Sequence, residues 1–74
     1  MSPLPAVKPR QAVAALRRLG FVEHHQKGSH LYLWHPQFRR MTCVPQHPGD
    51  LKMGTLRAII KQAGIPEAQF RELL

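Results

Sequence analysis

With 74 residues the chain has room for one small domain and a modest core, which excludes a multidomain architecture. Eleven Lys and Arg stand against four Asp and Glu, a formal charge of +7, and this excess favours nucleic acid or another acidic partner, the competing reading being a solvated basic surface. Cys43 is the single cysteine, so an internal disulfide is excluded, and no apolar run reaches signal-peptide or membrane-spanning length; the expectation is a soluble cytoplasmic protein.

Residues 1–7 carry Pro3 and Pro5 and read as an extended, poorly tied-down arm of a single domain spanning residues 1–74. Pro9 suits the first turn of a helix, Ala12, Val13, Leu16 and Leu19 recur at helical spacing, and Gly20 is placed to end the helix in a left-handed conformation. Phe21 to Gln26 reads as a strand, and Lys27-Gly28-Ser29 as a turn. His30 to Trp34 is the clearest strand, with Leu31 and Leu33 on one face and His30, Tyr32 and Trp34 on the other. His35-Pro36-Gln37-Phe38-Arg39 forms a second turn, and Arg40 to Val44 a third strand ended by Pro45.

Gln46 to Asp50 is a loop whose last residue can cap the next helix. Leu56, Ile59, Ile60 and Ala63 make that helix's apolar stripe, with Lys52, Arg57 and Lys61 largely outside it, and Gly64 closes it. Pro66 starts a short last helix, with Phe70, Leu73 and Leu74 as its apolar contacts. The order predicts an α+β fold: a two-layer domain of helix, three-stranded antiparallel sheet and helix, with a short C-terminal helix. One face of its sheet stays free to meet a ligand.

Gln26-Lys27-Gly28-Ser29-His30 is the stretch that points to chemistry. Histidine as a residue type can give or take a proton near neutrality, a lysine can neutralise a phosphate, and a glycine admits close approach of another backbone. Together they point to acid/base work on a polyanion, and RNA is the natural one because its 2′-hydroxyl can attack the adjacent phosphate. His30 is the candidate general base or acid, its alternative a hydrogen-bonded structural histidine. Lys27 is placed to stabilise charge on the phosphate oxygens, or else is a solvated lysine. Ser29 either donates to phosphate or satisfies the turn. Gly28 meets a conformational need and leaves space for substrate.

Tyr32 and Trp34 either stack on bases or pack against neighbours. Arg57 and Lys61, four apart on one helix, form a basic ridge that tracks phosphates or is merely solvated. His24 and His25 point to opposite faces of a regular strand, and no Cys-x-x-Cys or His-x₃-His spacing is present, so no metal or other cofactor is expected.

Four blocks carry a resemblance. They are Leu19-Gly20-Phe21 at the end of the first helix; Gln26-Lys27-Gly28-Ser29-His30; Val44-Pro45 followed by His47; and Gly54-Thr55-Leu56-Arg57 leading to Ile60 and Gln62-Ala63-Gly64. In this order and spacing, from about Leu4 to Leu74, the chain resembles the HicA (YcfA-like) family of toxin–antitoxin ribonucleases. Where many members carry a basic residue before the Gln-Lys pair, this chain carries His25. The resemblance implies a fold similar to the double-stranded RNA-binding domain, ribosome-independent cleavage of mRNA, and growth arrest relieved by a HicB-like antitoxin. It maps the family's essential histidine onto His30 and its glycine onto Gly28, and matches His47 to a histidine common in the family, which acts directly, shapes its loop or contacts RNA or partner.

The expected function is thus a metal-independent mRNA endoribonuclease toxin using His30, with Lys27, Gly28, Ser29, His47, Arg57 and Lys61 contacting RNA. The alternatives are a catalytically silent RNA-binding module of the same fold, or a protein that mainly forms a complex with its antitoxin and, through it, operator DNA.

Overall fold

A computed structural model describes residues 4–74. Three helices and three strands follow in chain order: α1 (Pro9–Leu19), β1 (Val22–Lys27), β2 (His30–His35), β3 (Arg40–Pro45), α2 (Met53–Ala63) and α3 (Glu67–Glu72). The strands form one antiparallel sheet in the order β1-β2-β3. This is the two-layer α+β domain that the sequence predicts.

Local chemistry sets the ends of the elements. Pro9 occupies the first turn of α1, where a missing N–H costs nothing, and the Gln11 side chain accepts the Lys8 N–H at 2.8 Å. Gly20 (φ 114°) and Gly64 (φ 79°) end α1 and α2 in the left-handed region. A Cβ on Gly20 would also lie 2.7 Å from the His35 ring, so glycine there answers both to conformation and to space.

The sheet's two faces divide as the alternation predicts. Leu31 and Leu33 of β2 and Thr42 and Val44 of β3 are buried with Ala12, Ala15, Leu16, Leu56, Ile59, Ile60, Ala63 and Phe70 of the helices. Each large apolar side chain buried there contributes about 1.5–3 kcal/mol. His30, Tyr32 and Trp34 occupy the opposite face, which no helix covers.

Four expectations are corrected. First, the segment before α1 has no regular structure but is fastened: Leu4 and Val7 are buried, and the Val7 carbonyl accepts the Leu51 N–H at 2.8 Å. Two apolar anchors outweigh the loosening effect of Pro5; residues 1–3 lie outside the described chain. Second, Asp50 caps nothing. The cap residue of α2 is Lys52, and the Asp50 carboxylate lies 3.7 Å from Lys8 Nζ.

Third, His35 belongs to β2 rather than to a turn, and only 2% of it is exposed. Its Nδ1 accepts the Phe38 N–H at 3.0 Å, so its Nε2 carries the proton and donates to the Leu19 carbonyl, also at 3.0 Å. Its ring stacks on Phe38 and meets Phe21 edge-on. Fourth, the register slips between Glu23 and His25, so His24 is an extra residue in a β-bulge. The bulge defeats strict alternation, and the Nδ1 atoms of His24 and His25 come within 2.7 Å instead of pointing apart.

Candidate active site on the open sheet face

The hairpin between β1 and β2 builds the site. Lys27 and His30 are direct cross-strand partners, joined by the two-residue turn Gly28-Ser29. Gly28 has φ 58°, the positive value that a two-residue hairpin of primed type places at its first central residue. Partners in one register share a face, so the ammonium of Lys27 and the imidazole of His30 rise from the same side of the sheet. On its other side His30 is paired with Pro45, and the Ser29 carbonyl accepts the Gln46 N–H.

Three rows of side chains cross the open face in register. The first is Lys27, His30 and Pro45; the second His25, Tyr32 and Cys43; the third Val22, Trp34 and Met41. His25 and Tyr32 stack with centroids 4.5 Å apart and ring planes 11° from parallel. The rows run from charged and titratable, through aromatic, to apolar. The Gln26 side chain turns back to donate to the Gly28 carbonyl at 3.1 Å, which braces the turn.

The five histidines have different partners. His24 and His25 share a hydrogen bond, His35 is held at both nitrogens, and His47 Nδ1 lies 2.9 Å from the Pro48 carbonyl. His30 is exposed, and its ring has no hydrogen-bond partner among the described residues. Both its nitrogens are therefore available to a substrate. Among the described residues no group of three or more His, Cys, Asp or Glu is arranged to hold a metal ion.

Lys27, Gly28 and Ser29 are thus brought to His30. His47 lines a neighbouring cavity of about 430 Å³ with Lys8, Arg10 and Gln46. Arg57 and Lys61 lie on another side of α2, beside Ile65 and Pro66, and Arg57 Nε is 3.4 Å from the Glu67 carboxylate. Sequence reasoning gave no site role to Cys43, Thr55, Ala58 and Gln62, which line a groove with His30. The spacing of Thr55, Ala58 and Gln62 at i, i+3 and i+7 was visible; that this stripe would border His30 was not.

A Cβ on Gly28 would meet nothing within 4 Å, so only its backbone angle restricts substitution. Ser29 does not share the positive φ, so the turn is of the type that reserves its first central position for glycine. Gly28→Asn is therefore expected to cost about 1–3 kcal/mol of stability and also to lower activity, because a side chain there can crowd the substrate. Thermal melting and RNA cleavage, measured on one preparation, separate the two effects; unchanged cleavage contradicts the expectation.

A family model described as the HicA toxin of bacterial toxin–antitoxin matches residues 9–65, which take in every strand and the first two helices. The chain belongs to the HicA toxin family. No curated protein matches it. A HicA toxin is one half of a toxin–antitoxin system, so an antitoxin is its partner, and membership supports an enzyme of ribonuclease type. No described helix is long and apolar enough to cross a membrane.

Proposed function

We propose that this toxin is a ribosome-independent mRNA endoribonuclease in which His30 is the general acid/base. The observation that supports this is the unpartnered imidazole of His30, in register with Lys27 on the uncovered face of the sheet. In the reaction the 2′-hydroxyl loses its proton, its oxygen attacks the adjacent phosphorus, and the P–O5′ bond breaks. The departing 5′-oxygen takes up a proton. The products are a 2′,3′-cyclic phosphate and a 5′-hydroxyl. His30 removes the first proton or supplies the second. The Lys27 ammonium stabilises the negative charge that gathers on the phosphate oxygens.

Ser29 and the backbone at Gly28 lie within the same turn and fit close contact with a phosphate. His47, Arg57 and Lys61 are proposed to extend the contact to neighbouring nucleotides. The His25–Tyr32 stack and Trp34 offer aromatic surface to unpaired bases.

The substrate itself supplies the nucleophile, so no metal-activated water is required. Cleavage in EDTA is expected to match cleavage in magnesium, and an RNA with one 2′-deoxy sugar at the cut site is expected to resist there. Gel analysis with end-group chemistry reads both; loss of activity in EDTA that magnesium restores would contradict the mechanism.

The antitoxin is proposed to be HicB-like and acidic, covering the His30 face and contacting Lys27. The +7 charge favours fast encounter with such a partner. Operator DNA would be met through the antitoxin.

A further inference from the structure

We infer that the groove between β3 and α2 is a nucleobase subsite, which takes the base next to the phosphate that His30 acts on. The inference rests on the catalytic reading of His30. The groove is an open depression of about 440 Å³ beside His30. His30 is among its lining residues, together with its cross-strand partner Pro45. A base is tied through one ribose to the phosphate it flanks, so a pocket opening from His30 is within its reach.

The lining suits a flat aromatic ring with polar edges. Cys43, Gly54 and Ala58 have little or no side chain to fill the space, and a Cβ on Gly54 would meet nothing within 4 Å. Pro45 and Ala58 supply apolar surface for a ring face, while Thr55 and Gln62 supply the hydrogen-bonding groups that read a base edge.

Gln62 is held in place. Its amide lies 2.9 Å from Thr42 Oγ1, which in turn lies 3.2 Å from the Ile59 carbonyl. The hydroxyl has one proton for these two neighbours. If it goes to Ile59, the Gln62 amide donates to Thr42 and its oxygen is left to accept; if it goes to Gln62, the amide hydrogens are left to donate. In either arrangement one end of the amide remains for the groove. Buried Thr42 therefore positions a group that discriminates between bases.

Two measurements test the inference. The first titrates wild-type protein with nucleoside 3′-monophosphates, which have no bond left to cleave, and follows backbone amides by NMR. The expected result is shifts at Cys43, Thr55, Ala58 and Gln62 that are absent with inorganic phosphate and abolished by Ala58→Leu. The second sequences the ends made from random-sequence RNA. Gln62→Ala and Thr55→Val are expected to change base preference at one position beside the cut by on the order of tenfold, read as the ratio of cut frequencies between bases and so independent of any change in overall rate.

Unshifted groove amides, equal shifts with phosphate alone, or cut sites identical in all variants would overturn the subsite. So would an Ala58→Leu protein that cuts RNA like the wild type but escapes its antitoxin, because the groove would then belong to the partner. Wild-type protein that does not cut RNA would sink the catalytic reading instead, and the titration would still judge the groove.

Discussion

Replacing His30 by alanine is expected to lower RNA cleavage by about 10²–10⁴-fold, the usual contribution of one positioned acid/base group. The same change should leave the fold intact. His30 is exposed, its ring bonds to no described residue, and strand pairing uses only its backbone. Loss of activity with an unchanged melting temperature would separate chemistry from stability. Induced expression gives the cellular readout: growth arrest with the wild type and growth with the variant. A purified His30→Ala protein that cuts RNA at the wild-type rate would remove the assignment. One that binds RNA like a wild type that itself cuts nothing would favour the non-catalytic module.

His35→Ala should do the reverse, unfolding the protein before it touches the chemistry. The change deletes a ring packed between Phe21 and Phe38 and strands two hydrogen-bonding groups, the Leu19 carbonyl and the Phe38 N–H. Comparable aromatic truncations cost about 3–5 kcal/mol, and an unsatisfied buried group adds about 1–3 kcal/mol. A domain of this size has only a few kcal/mol in reserve. Even a 3 kcal/mol loss would lower Tm by roughly 12–24 °C. His35→Phe keeps the ring and the stack and should recover part of the loss. A melting temperature within about 3 °C of wild type for His35→Ala would contradict this account of the packing.

The two histidines show what a sequence discloses. His30 was legible because its setting is local: the turn, the cross-strand lysine and the alternation with Leu31 and Leu33 all lie within a few residues. His35 was not, because half of what holds it, the Leu19 carbonyl and the Phe21 ring, comes from another element. The Leu19 carbonyl is 16 residues away, and the ring is buried only once α1 has packed. Pro9, Gly20 and Gly64 were readable for the same reason as His30, since backbone constraint acts on the residue itself.

Asp50 was a reasonable cap by residue type, but α2 starts only at Met53 with Lys52 as its cap, and the Asp50 carboxylate lies near Lys8 instead. The bulge at His24 depends on how β2 pairs, which the single strand does not reveal. For the candidate site the division is alike. Lys27, Gly28, Ser29 and His30 are contiguous, whereas the groove beside them needs β3 and α2 in place before Cys43 and Gln62 share a wall.

The irregular β1 also bears on solubility. It is a terminal strand of the sheet, exposed along its whole length, and so presents unpaired backbone to any extended chain. A smooth edge of that kind invites copies of a protein to stack into ribbons. Here the extra residue at His24 interrupts the pleat mid-strand, leaving no long unbroken row of donors and acceptors for a second molecule to match. The net positive charge pushes like molecules apart at the same time. The kink thus acts as a guard against self-assembly in a small toxin that must expose one whole face of its sheet.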